Sequence, residues 1–159
     1  MLDSPENRAL VIDSFPDLLH DPSFTITSPC DPNYNCIAWT GFTTDTWWEA
    51  DPRIPFVLDG VKVDWPFGAR NDKSIFALID LFLRQGYEIC ENGSFENGVR
   101  KIALYADEDG NYTHASRMKR NGIWTSKLGP AFDILHIDAT IIQGEKYGTV
   151  HTYMVKSNR

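Results

Sequence analysis

Residues Ser74 to Gln85 carry the clearest pattern in the chain. Ile75, Leu78, Ile79, Phe82 and Leu83 recur at helical spacing, Ser74 can cap the start and Gly86 can stop the end, so the segment predicts an amphipathic helix. Beyond it the period changes from 3.6 to 2. Tyr87–Cys90, 101–106, Tyr112–Met118, Ile123–Lys127 and Tyr147–Lys156 are short apolar or β-branched runs bounded by turn residues, and they read as strands. Asp107–Asn111 is a turn, and Asn121-Gly122 is a strong hairpin signal. The stretch 133–138 reads as a turn or short element.

The N-terminal part is less regular. One apolar patch, Ala9–Ile12, marks a short element. Asp21-Pro22, Ser28-Pro29 and Asp31-Pro32 then favour extended backbone, so residues 1–32 read as an N-terminal element and strap ahead of a core at 33–159. Asn33 or Asn35 can cap a short helix beginning near Cys36, with Gly41 at its end. Residues 51–73, rich in Pro and Gly, read as a long surface loop with a strand at Val61–Val63, and loops of that length often serve as lids or substrate walls. A helix-rich part followed by a sheet-rich part in 159 residues predicts one α+β domain.

Composition narrows the function. Apolar residues make up 42% and charged residues 23%, which excludes disorder as the dominant state. The net charge of −7 argues against nucleic acid as a partner. No apolar run is long enough to span a membrane, and the start of the chain has no basic and apolar segments of a signal peptide. Three cysteines without a Cys-x-x-Cys spacing suggest neither a disulfide framework nor a zinc site. A cytoplasmic protein with no metal and no cofactor is the expectation.

Chemistry then centres on Cys36 and His114. A cysteine opening a helix has its thiolate favoured by the helix dipole, and the unpaired N–H groups of the first turn, with Asn35, can hold an oxyanion. His114, near the start of a strand, is the natural base for such a thiol. Each also fits a bland role: Cys36 as an inert core thiol, His114 as an idle strand residue. A third group must orient the imidazole. With a two-residue Asn121-Gly122 turn, the register brings Ser126 or Lys127 near His114, and Asp133 can reach it from the following loop; both Ser126 and Asp133 stay open. Trp39, Trp47 and Trp48 are candidates for a substrate wall. His20, His136 and His151 are weaker candidates, and the acidic turn at Asp107–Asp109 lacks calcium-loop spacing.

The segment Tyr34-Asn35-Cys36-Ile37-Ala38-Trp39, followed by Lys101–Tyr105, Thr113-His114-Ala115 and Trp124–Gly129, resembles an uncharacterised bacterial domain family that is in turn similar to papain-like hydrolases of the NlpC/P60 and CHAP type. The resemblance implies a papain-like fold, with the helix carrying the cysteine packed on an antiparallel sheet carrying the histidine. It implies a cysteine peptidase or amidase in which Cys36 attacks an amide carbonyl, His114 moves the proton, and a peptide or other amide is the substrate. A non-catalytic protein-binding module on that fold, or an effector carrying out acyl transfer, are the alternatives.

Overall fold

The structure is a computed structural model and describes residues 1–158. Its centre is a seven-stranded sheet made of β1 (Thr25–Ser28), β5 (Glu88–Cys90), β6 (Val99–Ala106), β7 (Tyr112–Met118), β8 (Trp124–Lys127), β9 (Asp133–His136) and β10 (Thr149–Ser157), in the order β1-β9-β8-β7-β6-β10-β5. All its pairings are antiparallel. A second sheet of three short strands, β2 (Trp47–Trp48), β3 (Phe56–Leu58) and β4 (Val61–Asp64), has the order β2-β4-β3. The helices are few and short: α1 (Pro5–Ser14), α2 (Cys36–Thr40) and α3 (Ile75–Leu83).

The central strand β6 explains the layering. Its last six residues are all buried, so neither face meets water, and its apolar run is continuous rather than alternating. Ile102, Leu104 and Ala106 point into one core with α2, α3, Trp48 and Trp65. Ala103 and Tyr105 point into the other, with Val11 and Phe15 from the α1 side, Trp124 and Ile134. Successive strand residues face opposite sides, so the sheet divides the molecule into two cores.

The expected papain-like α+β fold is corrected here. The architecture is β-rich, two sheets with three short helices, and not a helix-on-sheet papain-like arrangement. Some segments read as connection turn out to be strands. The strap supplies β1, which pairs with β9 in the stretch 133–138, and the 51–73 loop supplies β3 beside the expected strand, which is β4. The Cys36 helix is only five residues long. The α3 prediction agrees closely: Ser74 Oγ accepts from the Ala77 N–H at 3.2 Å, and Gly86 follows in the left-handed region. The β7–β8 hairpin pairs Met118 with Trp124, one residue away from the register of a two-residue turn.

Burial on β6 sets a stability expectation. Leu104→Ala opens a cavity between α3 and the sheet and should cost about 2–5 kcal/mol, whereas Val57→Ala on the exposed side of β3 should stay within about 0.5 kcal/mol, both read from urea unfolding.

Candidate functional site: a buried polar network and a cationic pocket

Asn35 fixes the start of α2. Its side-chain Oδ1 accepts from the N–H of Ala38 at 3.1 Å and of Trp48 at 3.1 Å, and its Nδ2 donates to the Trp48 carbonyl at 2.8 Å. The Asn35 amide therefore holds α2 against β2. Cys36 follows as the first helical residue and is 7% exposed. Burial pushes its thiol up to about 11, against the pull of the Ala115, Ile37 and Cys36 N–H groups and the Lys127 charge. The thiol is protonated near neutral pH.

The alternation of β7 then turns His114 away from its neighbour Ala115. Ala115 belongs to the core that contains Cys36 and α2. Its neighbour His114 faces the other side, where it stacks on Tyr147 with centroids 3.9 Å apart and meets Tyr105 edge-on at 5.0 Å. No hydrogen bond joins the His114 imidazole to Cys36. Its Nε2 instead lies 3.0 Å from Ser126 Oγ, which is 2.8 Å from His136 Nε2, and His136 Nδ1 is 2.7 Å from the Asp138 carbonyl.

The direction of this relay follows from its end. A carbonyl only accepts, so His136 Nδ1 carries the proton and its Nε2 accepts from the Ser126 hydroxyl. Ser126 then accepts from His114 Nε2–H, and His114 Nδ1 is left as a bare, buried acceptor without a partner. Burial holds His114 well below the usual histidine range, with the nearby His136 adding to the effect. Burial likewise lowers His136 to about 4. Ser126 thus does touch His114, while His136 joins it from β9.

Asp133 sits on the Cys36 side, opposite Lys127 in the β8–β9 register, and it does not reach His114. Its carboxylate accepts from Tyr34 Oη at 2.8 Å, and burial raises it. Lys127 Nζ donates to the carbonyls of Asp31 and Gly129 and lies 4.7 Å from the Tyr34 ring centroid. This cluster pins the strap to the sheet. Trp48 is core; Trp47 lines an outer groove beside Glu49; Trp39 is half-buried and carries Arg117 at 4.4 Å from its ring centroid. Among the described residues, no group of three or more His, Cys, Asp or Glu is placed to hold a metal ion.

A different site opens at the end of the sheet where β6 starts and β7 ends. A cavity of about 400 Å³ is lined by Phe42, Arg100, Arg117, Lys119, Arg120 and Asn158, among others. The Arg117 guanidinium lies between the Trp39 and Phe42 rings, 4.2 Å from the second, and its Nε donates to the Trp39 carbonyl. Arg100 lies 5.0 Å from the same Phe42 ring and donates through Nε to Asn158 Oδ1 at 3.0 Å. Phe42 is 54% exposed and has φ of 62°, a conformation uncommon for a bulky residue. Among the described residues, no carboxylate forms an ion pair with Arg100, Arg117, Lys119 or Arg120. Burial lowers Arg117, against the pull of Tyr87 and Asp133, and the Arg100 charge adds to the lowering. Sequence reasoning missed this site. The available signal was Arg117-Met118-Lys119-Arg120, three cations in four residues of an acidic chain.

A family model described as "Domain of unknown function (DUF7689)" matches residues 25–155, and the chain belongs to that family. No curated protein and no solved structure matches it.

Two outcomes follow from the buried groups. Iodoacetamide at pH 7.5 should modify exposed Cys30 and spare Cys36 until the protein is unfolded, as read by peptide mass spectrometry. Acid should destabilise the fold through the histidines. His136 takes up its proton near 6.5 when unfolded but only near 4 when folded, so stability is lost as pH falls through that window, by about 3 kcal/mol from this residue alone. Urea midpoints measured from pH 7 to 4 check this, and His136→Gln should flatten the slope.

Proposed function

We propose that this chain is a non-catalytic protein-binding module that holds an anionic group of its partner in the cationic pocket at the Arg117 end of the sheet. One observation carries the reading: two guanidiniums and two further cations line a single cavity, and among the described residues none of the four is in an ion pair with a carboxylate, in a chain of net charge −7. In an acidic protein, stray cations are readily paired. Leaving four together unpaired costs mutual repulsion, which a bound anion relieves. The cavity volume also lies in the range of built ligand sites.

Amide hydrolysis by Cys36 is the weaker reading. A nucleophile needs a base within hydrogen-bond reach; burial pushes the Cys36 thiol up to about 11, and no hydrogen bond joins it to His114, whose Nε2 is engaged with Ser126. A cytoplasmic setting is favoured by three free cysteines. No helix among the described residues is long and apolar enough to cross a membrane.

Titration of the isotope-labelled protein with a hexaglutamate peptide tests the reading. Saturable amide shifts should gather on Phe42, Arg100, Arg117–Asn121 and Asn158 and should vanish in Arg100→Glu, while Cys36→Ala leaves them in place. Shifts spread evenly over the surface would overturn the reading, as would peptide anilide hydrolysis that disappears in Cys36→Ala.

A further inference from the structure

Resting on that reading, we infer that the pocket is a site for the phosphoryl dianion of a phosphorylated side chain, presented in an extended peptide. The donors favour a phosphoryl group over a single carboxylate. Arg100 and Arg117 are each anchored through Nε, one to Asn158 and the other to the Trp39 carbonyl, and the Arg100 side chain also hydrogen-bonds Tyr87, so both guanidiniums are held in place where they line the cavity. A carboxylate has two oxygens and matches one guanidinium fork. A phosphate monoester has three acceptor oxygens and nearly twice the charge, so it can bridge two forks at once. Lys119 and Arg120, exposed on the β7–β8 hairpin, add charge at the rim. One monoanion would leave such a site strongly positive.

The two arginines share one aromatic support. Both guanidiniums approach the Phe42 ring, at 4.2 and 5.0 Å from its centroid, so two like charges are held near one another by stacking. A ligand that binds between them converts that repulsion into two attractions. Phe42 is held in its left-handed backbone by a turn in which its N–H donates to the Trp39 carbonyl, so the support is fixed before any ligand arrives.

The shape favours a peptide over a free ion. A second cavity of about 300 Å³ shares Arg120 and Asn158 with the first and continues past Asn97 and Gly98 to the half-exposed ring of Phe95; Glu96 also lines it, its carboxylate paired with Lys101 at 2.6 Å. Together they form one groove with an aromatic at each end and the cations between. A free phosphate ion would fill only its centre. A long polyanion is disfavoured, because the net charge of the chain repels every phosphate beyond those the pocket neutralises.

Calorimetry and amide-shift titration with four probes test this: a capped hexapeptide with one phosphoserine, the same peptide with Glu or with Ser at that place, and inorganic phosphate. The phosphoserine peptide should bind at least tenfold more tightly than the Glu peptide and than inorganic phosphate, with shifts reaching from Phe42 to Phe95. Its affinity should fall about fourfold between pH 7.5 and 5.5, following the second ionisation of the phosphate near 6. Arg100→Ala and, independently, Arg120→Glu should each lower it tenfold or more, and Arg53→Ala, outside the groove, should not. Equal affinity for the Glu peptide would overturn the phosphoryl assignment and leave the anion-binding module standing. Equal affinity for inorganic phosphate would overturn the peptide. No binding by any probe would overturn both.

Discussion

Burial of β6 on both faces is the constraint from which the rest of the arrangement follows. A strand covered on both sides makes every residue choose a core, and its neighbour β7 inherits the choice through the ladder: Leu104 sits opposite Ala115, and Tyr105 opposite His114. Once Leu104 packs under the helices, Ala115 must face them too, and His114 must face away. Cys36 reaches the sheet from the helix side. The face that His114 takes is thus a consequence of sheet parity. A slip of β7 by one residue would drive His114 and Ser116 into the apolar helix side.

The face that receives His114 is built to hold polar groups dry. Tyr105 Oη donates to the Ala139 carbonyl at 2.6 Å and lies 3.0 Å from Ser116 Oγ, while the Ser126 hydroxyl joins two imidazoles. Almost every member is satisfied, so burial carries little penalty as long as both rings stay neutral. The exception, His114 Nδ1, is an acceptor walled in by Tyr147 and Tyr105. A proton there would have to be carried in low-dielectric surroundings with no counter-charge. The network therefore works as a structural clamp between β7, β8 and β9 that tolerates only one charge state.

Parts of this were legible in the residues. Ser74, Gly86 and the 3.6 spacing between them specify α3 locally, and Asn35 signals the start of α2, because caps act within three residues. The contact of Ser126 with His114 was within reach, since the Asn121-Gly122 hairpin limits the register to a narrow range. The face of His114 was not. Reading a face from period 2 needs one apolar side, and in Thr113-His114-Ala115-Ser116-Arg117 polar residues are buried on one side while Arg117 stacks under Trp39 on the other. The pairing of β1 with β9 was also hidden, because residues more than a hundred positions apart, such as Thr25 and Leu135, leave no local mark of being partners. Those long-range strands are what turn an expected helix-and-sheet domain into a β-rich one.

The cationic pocket owes its existence to the same geometry. Neighbouring antiparallel strands bring the start of β6 beside the end of β7, so Arg100 and Arg117, far apart in the chain, come to one edge, and the turn after α2 places Phe42 over both. Carboxylates are paired with other cations: Asp3 with Arg8, Asp51 with Arg53, Asp72 with Arg70, Asp80 with Arg84, and Glu96, at the groove itself, with Lys101. Several of these pairs join residues within five positions of one another and would form in many folds. Arg117, Lys119 and Arg120 are neighbours in sequence, and the tertiary structure brings Arg100 to them, with an overall negative charge around them that lowers the potential at long range. Such a site attracts weakly from a distance and strongly on contact, which favours one well-fitted anion over the nonspecific capture of many.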